Sequence, residues 1–358
     1  MLTSLQARSP VLANVTPRER RYDRGRARRR RDLFALLLVL LLTVGCGVAV
    51  RAAAPFTLSL FGPGAGVRAT AAGPAAPAVS ARPIPVPRDE PIPSFAVAAF
   101  DAGAEPDLGL HARSAVLLDL DSNHVLWVRD PHRERAPASL TKLMTAVVAS
   151  DLTGLDTPVT VTGEAAAAEP SRMGLAPGQV LTVRDLLYGA LLNSGNDAAF
   201  ALADGIVPLD RFLYLMNRKA AYLHLRDTHF STPNGLTDPA NHTSAYDLAV
   251  LAAYIGRYYP ELTAIAGTRD TYLPASTSHP GFYPHNVNHF LDVYPGATGL
   301  KTGFTNDAGG CLVATATRGG RHLLLVVMGS DIMFGDGVKL MDYGFSTPVR
   351  RATLESTE

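Results

Sequence analysis

Apolar and polar positions alternate in two segments that lie far apart in the chain. The segment "SAVLLDLDSNHVLWVRD" at 114–130 holds two apolar runs joined at "DSN", and "CLVATATRGGRHLLLVVMG" at 311–329 holds two runs joined at Arg318, Gly319 and Gly320. Short aliphatic runs separated by Asp, Asn or Gly predict β-hairpins. The two hairpins together predict one antiparallel sheet built from both ends of a domain.

Between the hairpins, apolar residues recur at the three- and four-residue spacing of amphipathic helices. Thr182 and Asp185 have the spacing of a capping box at the start of one of them. Helices that follow one hairpin and precede another predict an α+β domain with helices packed on the sheet. The aromatic residues at helical spacing are expected in the core: Tyr188, Phe200, Phe212 and Tyr214. The predicted helices are Ser139 to Ser150, "TVRDLLYGALL", "NDAAFALADGI", "PLDRFLYLMNRKAAYLHL" and "SAYDLAVLAAYIGRYY".

A different pattern precedes the domain, where residues 33–50 form an uncharged apolar run. As a helix, this run would extend about 27 Å, which is enough to cross the hydrocarbon core of a membrane. Arginines crowd the preceding segment, so residues 1–32 are expected in the cytoplasm and the remainder outside. Two alternatives stay open. One is removal of a signal peptide near Ala54, and the other is lipid attachment at Cys46, which lacks the usual aliphatic residue three positions earlier.

The remaining boundaries follow from composition. Residues 51–94 are rich in Ala, Pro and Gly and predict a semi-extended linker. The folded domain is expected at 95–346, with a short tail at 347–358. Residues 1–51 carry a net charge of +8, so the rest of a chain whose formal net charge is +1 carries −7. This acidic outer portion argues against nucleic acid as a partner.

Candidate chemistry begins with lysine, because 29 of the 33 basic residues are arginine. A lysine can lose its proton when it is buried or lies near another positive charge, whereas an arginine keeps its charge. Lys142 follows Ser139 by three residues at the start of a predicted helix, so both side chains share one face, directed away from the apolar stripe. This arrangement suits a serine nucleophile with a lysine base.

Two further segments could complete such a site. "NSGND" offers the hydroxyl of Ser194 and the amide of Asn196 in a turn between two predicted helices. "GLKTGF" offers Lys301 and Thr302 before a glycine-rich turn, and Gly303 would let a ligand approach the backbone closely. Each segment alone is a weak signal.

The three motifs together, in the order Ser-x-x-Lys, Ser-x-Asn and Lys-Thr-Gly, match the set found in the penicillin-recognising serine enzymes. The similarity extends through "PASLTKLMTA", "FSTPNGL" and "GLKTGFTNDAGGCLVATATR" and covers residues 114–329. The chain therefore resembles the D-alanyl-D-alanine carboxypeptidases of the low-molecular-mass penicillin-binding class. The resemblance implies the transpeptidase fold shared by penicillin-binding proteins and β-lactamases.

The resemblance also implies residue roles. Ser139 would attack the carbonyl between the two terminal D-alanines of a peptidoglycan stem peptide after neutral Lys142 accepts its proton. The backbone N–H groups of Ser139 and Phe304 would bind the oxyanion. Ser194 would pass a proton to the departing D-alanine, and Asn196 would orient Lys142 and the substrate amide.

The Lys-Thr-Gly motif would recognise the end of the substrate. By the same resemblance, Lys301 and Thr302 would bind the terminal carboxylate beside Gly303, and β-lactam antibiotics would act as covalent inhibitors. No cofactor or metal is expected, since His285 and His289 lack an accompanying zinc-binding carboxylate motif.

Other functions stay open. A β-lactamase would share the acyl-enzyme, but Ser-Gly-Asn replaces Ser-Asp-Asn and no glutamate motif for deacylation follows it. A D,D-endopeptidase acting on cross-links is a variant of the same chemistry. A wall-binding protein without turnover is disfavoured because every motif residue is present. A Ser-His-Asp hydrolase is disfavoured because no Gly-x-Ser-x-Gly segment occurs.

Overall fold

The computed structural model describes residues 91–93 and 106–348 of the chain. The predicted cytoplasmic segment 1–32, the predicted anchor 33–50 and most of the predicted linker 51–94 and tail 347–358 lie outside these residues. Among the described helices, none combines the length and the apolar character needed to cross a bilayer. The domain boundaries and the anchor therefore stay predictions.

The predicted antiparallel sheet is confirmed. Its five strands are adjacent in the order second, first, seventh, sixth, fifth along the chain, and every neighbouring pair is antiparallel. The strands from both ends of the domain meet where Val116 pairs with Val326 and Leu117 with Leu325. The strands are β1 (Ser114–Asp119), β2 (His124–Arg129), β3 (Pro158–Thr160), β4 (Val180–Thr182), β5 (Ala297–Thr305), β6 (Gly309–Arg318) and β7 (Arg321–Ser330).

The helical segments lie mostly between β2 and β5. A short 3₁₀ turn at Ala138–Thr141 leads into the first of them. The helices are α1 (Lys142–Leu152), α2 (Gly163–Ala166), α3 (Val183–Leu191), α4 (Asn196–Asp204), α5 (Leu209–Tyr222), α6 (Ala245–Tyr258), α7 (Pro260–Gly267), α8 (Phe290–Val293) and α9 (Met333–Ser346).

The sheet separates two apolar cores because successive side chains of a strand point to opposite faces. On β1, Val116 and Leu118 belong to the large core shared with the central helices. Leu117 faces the other way, into a smaller core where Leu340 and Met341 of α9 cover the sheet. Both faces are therefore buried, as expected for a sheet with helices on each side.

The predicted capping box of α3 is also confirmed. The hydroxyl oxygen of Thr182 accepts a hydrogen bond from the backbone N–H of Asp185 at 3.1 Å, and the Asp185 carboxylate accepts the backbone N–H of Thr182 at 3.2 Å. These bonds satisfy donors that a helix N-terminus leaves unpaired. The capped helix leads directly to the turn that contains Ser194.

Two local predictions were wrong. The helix predicted from Ser139 begins as an α-helix only at Lys142, because Ala138–Thr141 forms the 3₁₀ turn. Lys142 was also expected on a face away from the core, whereas α1 is buried on every side as far as Ala149. The reason is tertiary: α1 packs against α3, α4, α5 and α6, so it has no solvent-facing side along these residues.

Of the four aromatic residues expected in the core, three are at least partly buried and one is exposed. Phe212 is fully buried, and Tyr188 and Phe200 are partly buried against the core. Tyr214 is 50% exposed, which contradicts the prediction. Two residues along a helix correspond to about 200° of rotation, so Tyr214 lies on the outer face of α5 when Phe212 faces the core. There its ring packs under the guanidinium of Arg211 at 5.5 Å.

Candidate active site

Ser139 is partly buried in the 3₁₀ turn that precedes α1, where Gly235 packs against Ala138 and Gly303 packs against the backbone of Ser139. The preceding residue, Ala138, has a φ of +48°, a left-handed conformation that is costly for a residue with a side chain. Gly235 maintains this arrangement, because a Cβ there would lie 1.8 Å from the carbonyl oxygen of Ala138. The chain at 234–235 therefore packs directly against the backbone that presents Ser139.

The amine of Lys142 lies at the centre of the site with three oxygen partners. Its Nζ is 2.8 Å from the hydroxyl oxygen of Ser139, 2.8 Å from Oδ1 of Asn196 and 2.7 Å from the backbone carbonyl oxygen of Asn234. The two carbonyl oxygens can only accept hydrogen bonds. A neutral amine would donate its two N–H groups to them, which leaves its lone pair for the hydroxyl hydrogen of Ser139. The geometry thus suits Lys142 to accept the hydroxyl proton of Ser139.

The orientation of the Asn196 amide follows from its other partners. Its Nδ2 donates to the backbone carbonyls of Glu169 at 2.8 Å and Pro170 at 3.1 Å. Since both partners are acceptors, the amide nitrogen must face the loop at 169–175 and the amide oxygen must face Lys142. Asn196 is therefore an acceptor for Lys142 and never a competing donor in this arrangement.

Burial and charge both favour the neutral form of Lys142. Complete burial lowers its pKa well below the usual lysine value, and the positive charge of Lys301 lowers this pKa further. The carboxylate of Asp197 acts in the opposite direction. Lys301 is also fully buried, which lowers its own pKa to about 7. The site thus contains two lysines whose protonation changes far below the range of exposed lysines.

Strand β5 lies along the other side of Ser139. A Cβ at Gly303 would lie 2.8 Å from the backbone nitrogen of Ser139 and 3.0 Å from the Cβ of Ala138, so only glycine allows this approach. Lys301 and Thr302 are buried beside it in the same strand. The Lys-Thr-Gly motif lies within β5, and a turn follows this strand at 306–308, as the sequence predicted. Phe304 follows with its side chain 67% exposed.

Ser194 is in the predicted turn between α3 and α4, with 8% of its surface exposed and a φ of +57°. The next residue must be glycine, because a Cβ at Gly195 would lie 2.9 Å from Oδ1 of Asp197 and 3.1 Å from the carbonyl oxygen of Gly189. The tight turn brings Ser194 and Asn196 to the start of α4. The structure thus brings the Ser-x-x-Lys and Ser-x-Asn motifs together at Asn196, and the Lys-Thr-Gly strand against Ser139.

Two residues of the site were absent from the predicted set. Asn234 supplies a backbone carbonyl to Lys142, and Asp197 adds a carboxylate that acts on the same amine. The sequence signal for Asn234 was the Asn-Gly pair in "FSTPNGL", which indicates a tight turn but not its partner. Contact between this turn and Ser139 is set by tertiary packing, which no local pattern reveals.

The histidines considered as metal ligands lie on the surface. His285 contacts the carboxylate of Asp270, and the Nδ1 of His289 lies 3.5 Å from Asp292. The described residues contain no group of three or more His, Cys, Asp or Glu side chains that could hold a metal ion.

Comparison with known proteins identifies the family. The family model for D-alanyl-D-alanine carboxypeptidases, peptidase S11, matches residues 101–332. The D-alanyl-D-alanine carboxypeptidase DacF of Bacillus subtilis strain 168 is 34% identical over 265 residues, which cover 71% of this chain and 68% of DacF. The D-alanyl-D-alanine carboxypeptidase DacD of Escherichia coli K12 is 41% identical over 251 residues, which cover 66% of this chain and 63% of DacD.

Solved structures have the same fold. A crystal structure of a D-alanyl-D-alanine carboxypeptidase from Mycobacterium tuberculosis H37Rv superposes with a TM-score of 0.65 at 35% identity, covering 70% of this chain and 96% of that one. The Streptomyces K15 DD-transpeptidase superposes with a TM-score of 0.63 at 30% identity, covering 66% and 98%. The penicillin-binding-protein type of α+β fold is thereby confirmed. On these matches and the motifs that carry them, the chain belongs to the serine-type D-alanyl-D-alanine carboxypeptidases of the peptidase S11 family.

Proposed function

We propose that this chain removes the terminal D-alanine from peptidoglycan stem peptides through an acyl-enzyme at Ser139. The observation that carries the proposal is the hydrogen bond of 2.8 Å between the hydroxyl of Ser139 and a buried amine whose two N–H groups have carbonyl acceptors. This arrangement suits proton transfer from Ser139 to Lys142 as the Oγ attacks the substrate carbonyl carbon.

In the acylation step, the new Oγ–C bond forms and the peptide C–N bond breaks. The developing oxyanion would accept hydrogen bonds from the backbone N–H groups of Ser139 and Phe304. Gly303, which immediately precedes Phe304, packs against the backbone nitrogen of Ser139. The departing amine nitrogen of D-alanine needs one proton, which Lys142 returns through the hydroxyl of Ser194. Water then hydrolyses the ester and frees Ser139.

Substrate recognition depends on the terminal carboxylate. We assign its binding to Lys301 and Thr302, which are buried in β5 next to the nucleophile. A carboxylate that approaches Lys301 would favour its protonated form and repay part of the cost of burying that charge. Binding would therefore restore positive charge beside Lys142 and help keep it neutral for the reaction.

We further propose attachment to the membrane through a helix at 33–50, with the catalytic domain outside. The support is the uncharged apolar run with arginines on its N-terminal flank. The size of the membrane-bound species on a blot tests the proposal, because removal of a signal peptide near Ala54 would shorten the chain by about 50 residues.

A chemical assay of the detergent-solubilised full chain tests the activity. We expect release of D-alanine from a pentapeptide ending in D-Ala-D-Ala, together with a persistent penicillin adduct on Ser139 detected by mass spectrometry. Rapid hydrolysis of a chromogenic cephalosporin without a lasting adduct would instead indicate a β-lactamase, and release of peptide from cross-linked dimers would indicate endopeptidase action. A Ser139→Ala variant should release no D-alanine and form no penicillin adduct.

A second outcome is favoured by the likeness to the Streptomyces K15 DD-transpeptidase. The acyl-enzyme can react with an amine in place of water, since both nucleophiles attack the same ester carbonyl. Addition of glycine to the assay as an acceptor distinguishes the two. A new peptide product that replaces the hydrolysed one would indicate transpeptidation.

A further inference from the structure

The carboxylate of Asp197 accepts hydrogen bonds from the loop at 169–175. Asp197 is fully buried in the first turn of α4. Its Oδ1 accepts the backbone N–H groups of Met173 at 2.8 Å and Ala198 at 2.9 Å, and its Oδ2 accepts those of Gly174 at 2.8 Å and Leu175 at 3.0 Å. Hydrogen bonds to an ionised carboxylate are about twice as strong as neutral ones. This one side chain therefore binds the backbone of three consecutive loop residues.

The same loop returns three hydrogen bonds to the neighbouring residue. The carbonyls of Glu169 and Pro170 accept from Nδ2 of Asn196, and the carbonyl of Ser171 accepts from the backbone N–H of Asn196 at 2.7 Å. Residues 169 and 170 thus hold the side-chain amide of Asn196 and residue 171 holds its backbone N–H, while residues 173–175 are held by Asp197. Asp197 and the side chain of Asn196 are thus linked by hydrogen bonds through the backbone of the loop, in addition to being neighbours in sequence.

The orientation of the Asn196 amide matters for the state of Lys142. A half-turn of the amide would present N–H donors to Lys142 in place of Oδ1. The amine would then lose the acceptor for one N–H group, or its lone pair would accept from Asn196 instead of from Ser139. Either change removes the arrangement that suits Lys142 to take a proton.

We infer that Asp197 is a positioning residue, which holds the loop at 169–175 so that Asn196 keeps its amide oxygen on Lys142. The inference rests on the proposed function of Ser139 and Lys142. Asp197 does not touch the reacting atoms. Its effect reaches them through the backbone carbonyls of the loop and the side chain of Asn196.

The first test is the rate of acylation of the full chain by a fluorescent penicillin. In Asp197→Asn, one oxygen acceptor becomes an NH₂ donor that faces backbone N–H groups, so the loop should detach. We expect the second-order rate constant to fall about tenfold or more, because buried donors lose their partners. Asp336→Asn is the matched control. Asp336 is also fully buried in the first turn of a helix and accepts the backbone N–H groups of His111 and Ala112, away from Ser139.

The pH profile separates positioning from general damage. The charged groups that act on Lys142 are Lys301 on β5 and Asp197 on α4. Loss of the Asp197 charge favours neutral Lys142, so the acid limb of the residual acylation rate should move to lower pH. General loosening of the helices that bury Lys142 would instead admit water to the amine, favour its protonated form and move that limb to higher pH.

A second pair of variants keeps the test decisive if Asp197→Asn does not fold. Gly174 has a φ of +97° and Gly178 a φ of +82°, and a Cβ at either would meet no atom within 4 Å. Alanine is strained at both positions because φ is positive there, but only the N–H of Gly174 donates to Asp197. We expect Gly174→Ala to slow acylation severalfold and Gly178→Ala to leave it within about twofold of the unchanged chain.

The outcomes are distinguishable. Slower acylation in Asp197→Asn and Gly174→Ala, with Asp336→Asn and Gly178→Ala near the unchanged rate, supports the inference. Equal rates in all four variants would overturn it, as would equal losses in each variant and its control, and in both cases the proposed function would stand. Absence of acylation in the unchanged chain would refute the proposed function itself.

Discussion

Lys142 and Lys301 are both fully buried, and the positive charge of Lys301 lowers the pKa of Lys142. The two lysines have opposite requirements in the proposed reaction, since Lys142 must be neutral to accept a proton and Lys301 must be charged to bind a carboxylate. Burial alone disfavours the charge on both. The substrate carboxylate, which would lie nearer to Lys301, would favour the charged form of Lys301 more than that of Lys142.

This relationship predicts a basic limb in the pH dependence of kcat/KM. The pKa of Lys301 is about 7 in the free protein, so its charge is lost as the pH rises through that value. We expect kcat/KM for a peptide ending in D-Ala-D-Ala to fall above about pH 7, while the fall in kcat lies at higher pH because bound carboxylate raises the pKa of Lys301. Stopped assays of D-alanine release at several pH values measure both limbs.

The matching peptide with a C-terminal amide provides the control for that prediction. It lacks the carboxylate, so its much slower turnover should not depend on the charge of Lys301. An equal basic limb for the acid and the amide would assign the titration to a different group.

The buried charge of Lys301 also predicts a gain in stability on its removal. Below pH 7, Lys301 is protonated in both the folded and the unfolded chain, so the full cost of burial is present. Between pH 7 and 10.5, the unfolded chain binds more protons, so this contribution to stability improves as the pH rises. Lys301→Met should therefore raise the free energy of unfolding by about 1–4 kcal/mol at pH 6 and by less at pH 9, while activity is lost.

Denaturant unfolding at the two pH values, with Lys339→Met at an exposed position as the control, measures this effect. A gain that is the same at both pH values, or a loss of stability at pH 6, would contradict the assignment of a buried lysine with a lowered pKa.

The close approach of β5 to Ser139 predicts a strong effect of one methyl group. In Gly303→Ala, the new Cβ would lie 2.8 Å from the backbone nitrogen of Ser139, so the strand or the 3₁₀ turn must shift. Because a displacement of about 1 Å can cost a hundredfold in rate, we expect acylation by penicillin to fall by about that factor. Gly335→Ala is the control, since its Cβ would be 3.6 Å from Ile332, an ordinary contact, and alanine is the better helix former. Acylation within a few-fold of the unchanged rate in Gly303→Ala would show that β5 can move away without consequence.

These effects show which features local sequence could predict. The hairpins at 114–130 and 311–329 and the cap at Thr182 depend on residues close in sequence, and the structure contains all of them. The left-handed conformation of Ala138 and the carbonyl of Asn234 on Lys142 depend on segments about 95 residues apart. The burial of Lys142 likewise depends on four helices that meet around α1. Motif order indicated that the three segments meet, whereas packing determines how the amine of Lys142 is surrounded.

The far end of α1 provides a prediction about stability alone. Lys219 is 3% exposed, and its Nζ lies 2.7 Å from Oδ2 of Asp151, whose Oδ1 accepts the hydroxyl of Tyr259 at 2.6 Å. Removal of one partner of a buried ion pair leaves an uncompensated charge, so Lys219→Met should cost about 3–5 kcal/mol of unfolding free energy. Adding Asp151→Leu should recover at least half of this loss, because the buried charge is then also removed.

Asp151 lies nine positions along the helix from Lys142, which corresponds to about 14 Å. Acylation at a temperature well below the melting transition should therefore be unchanged in both variants. Arg184→Met is the matched control. Arg184 and Asp156 form an ion pair at 3.0 Å with side chains 44% and 84% exposed, and exposed pairs contribute less than about 1 kcal/mol. Chemical denaturation of the three variants measures the difference between buried and exposed charge. The prediction is contradicted if Lys219→Met lowers the unfolding free energy no more than Arg184→Met does, or if the double variant is less stable than Lys219→Met alone. Either result would mean that Asp151 carries no uncompensated charge in the absence of Lys219, and that this ion pair does not stabilise the packing of α1 against α5.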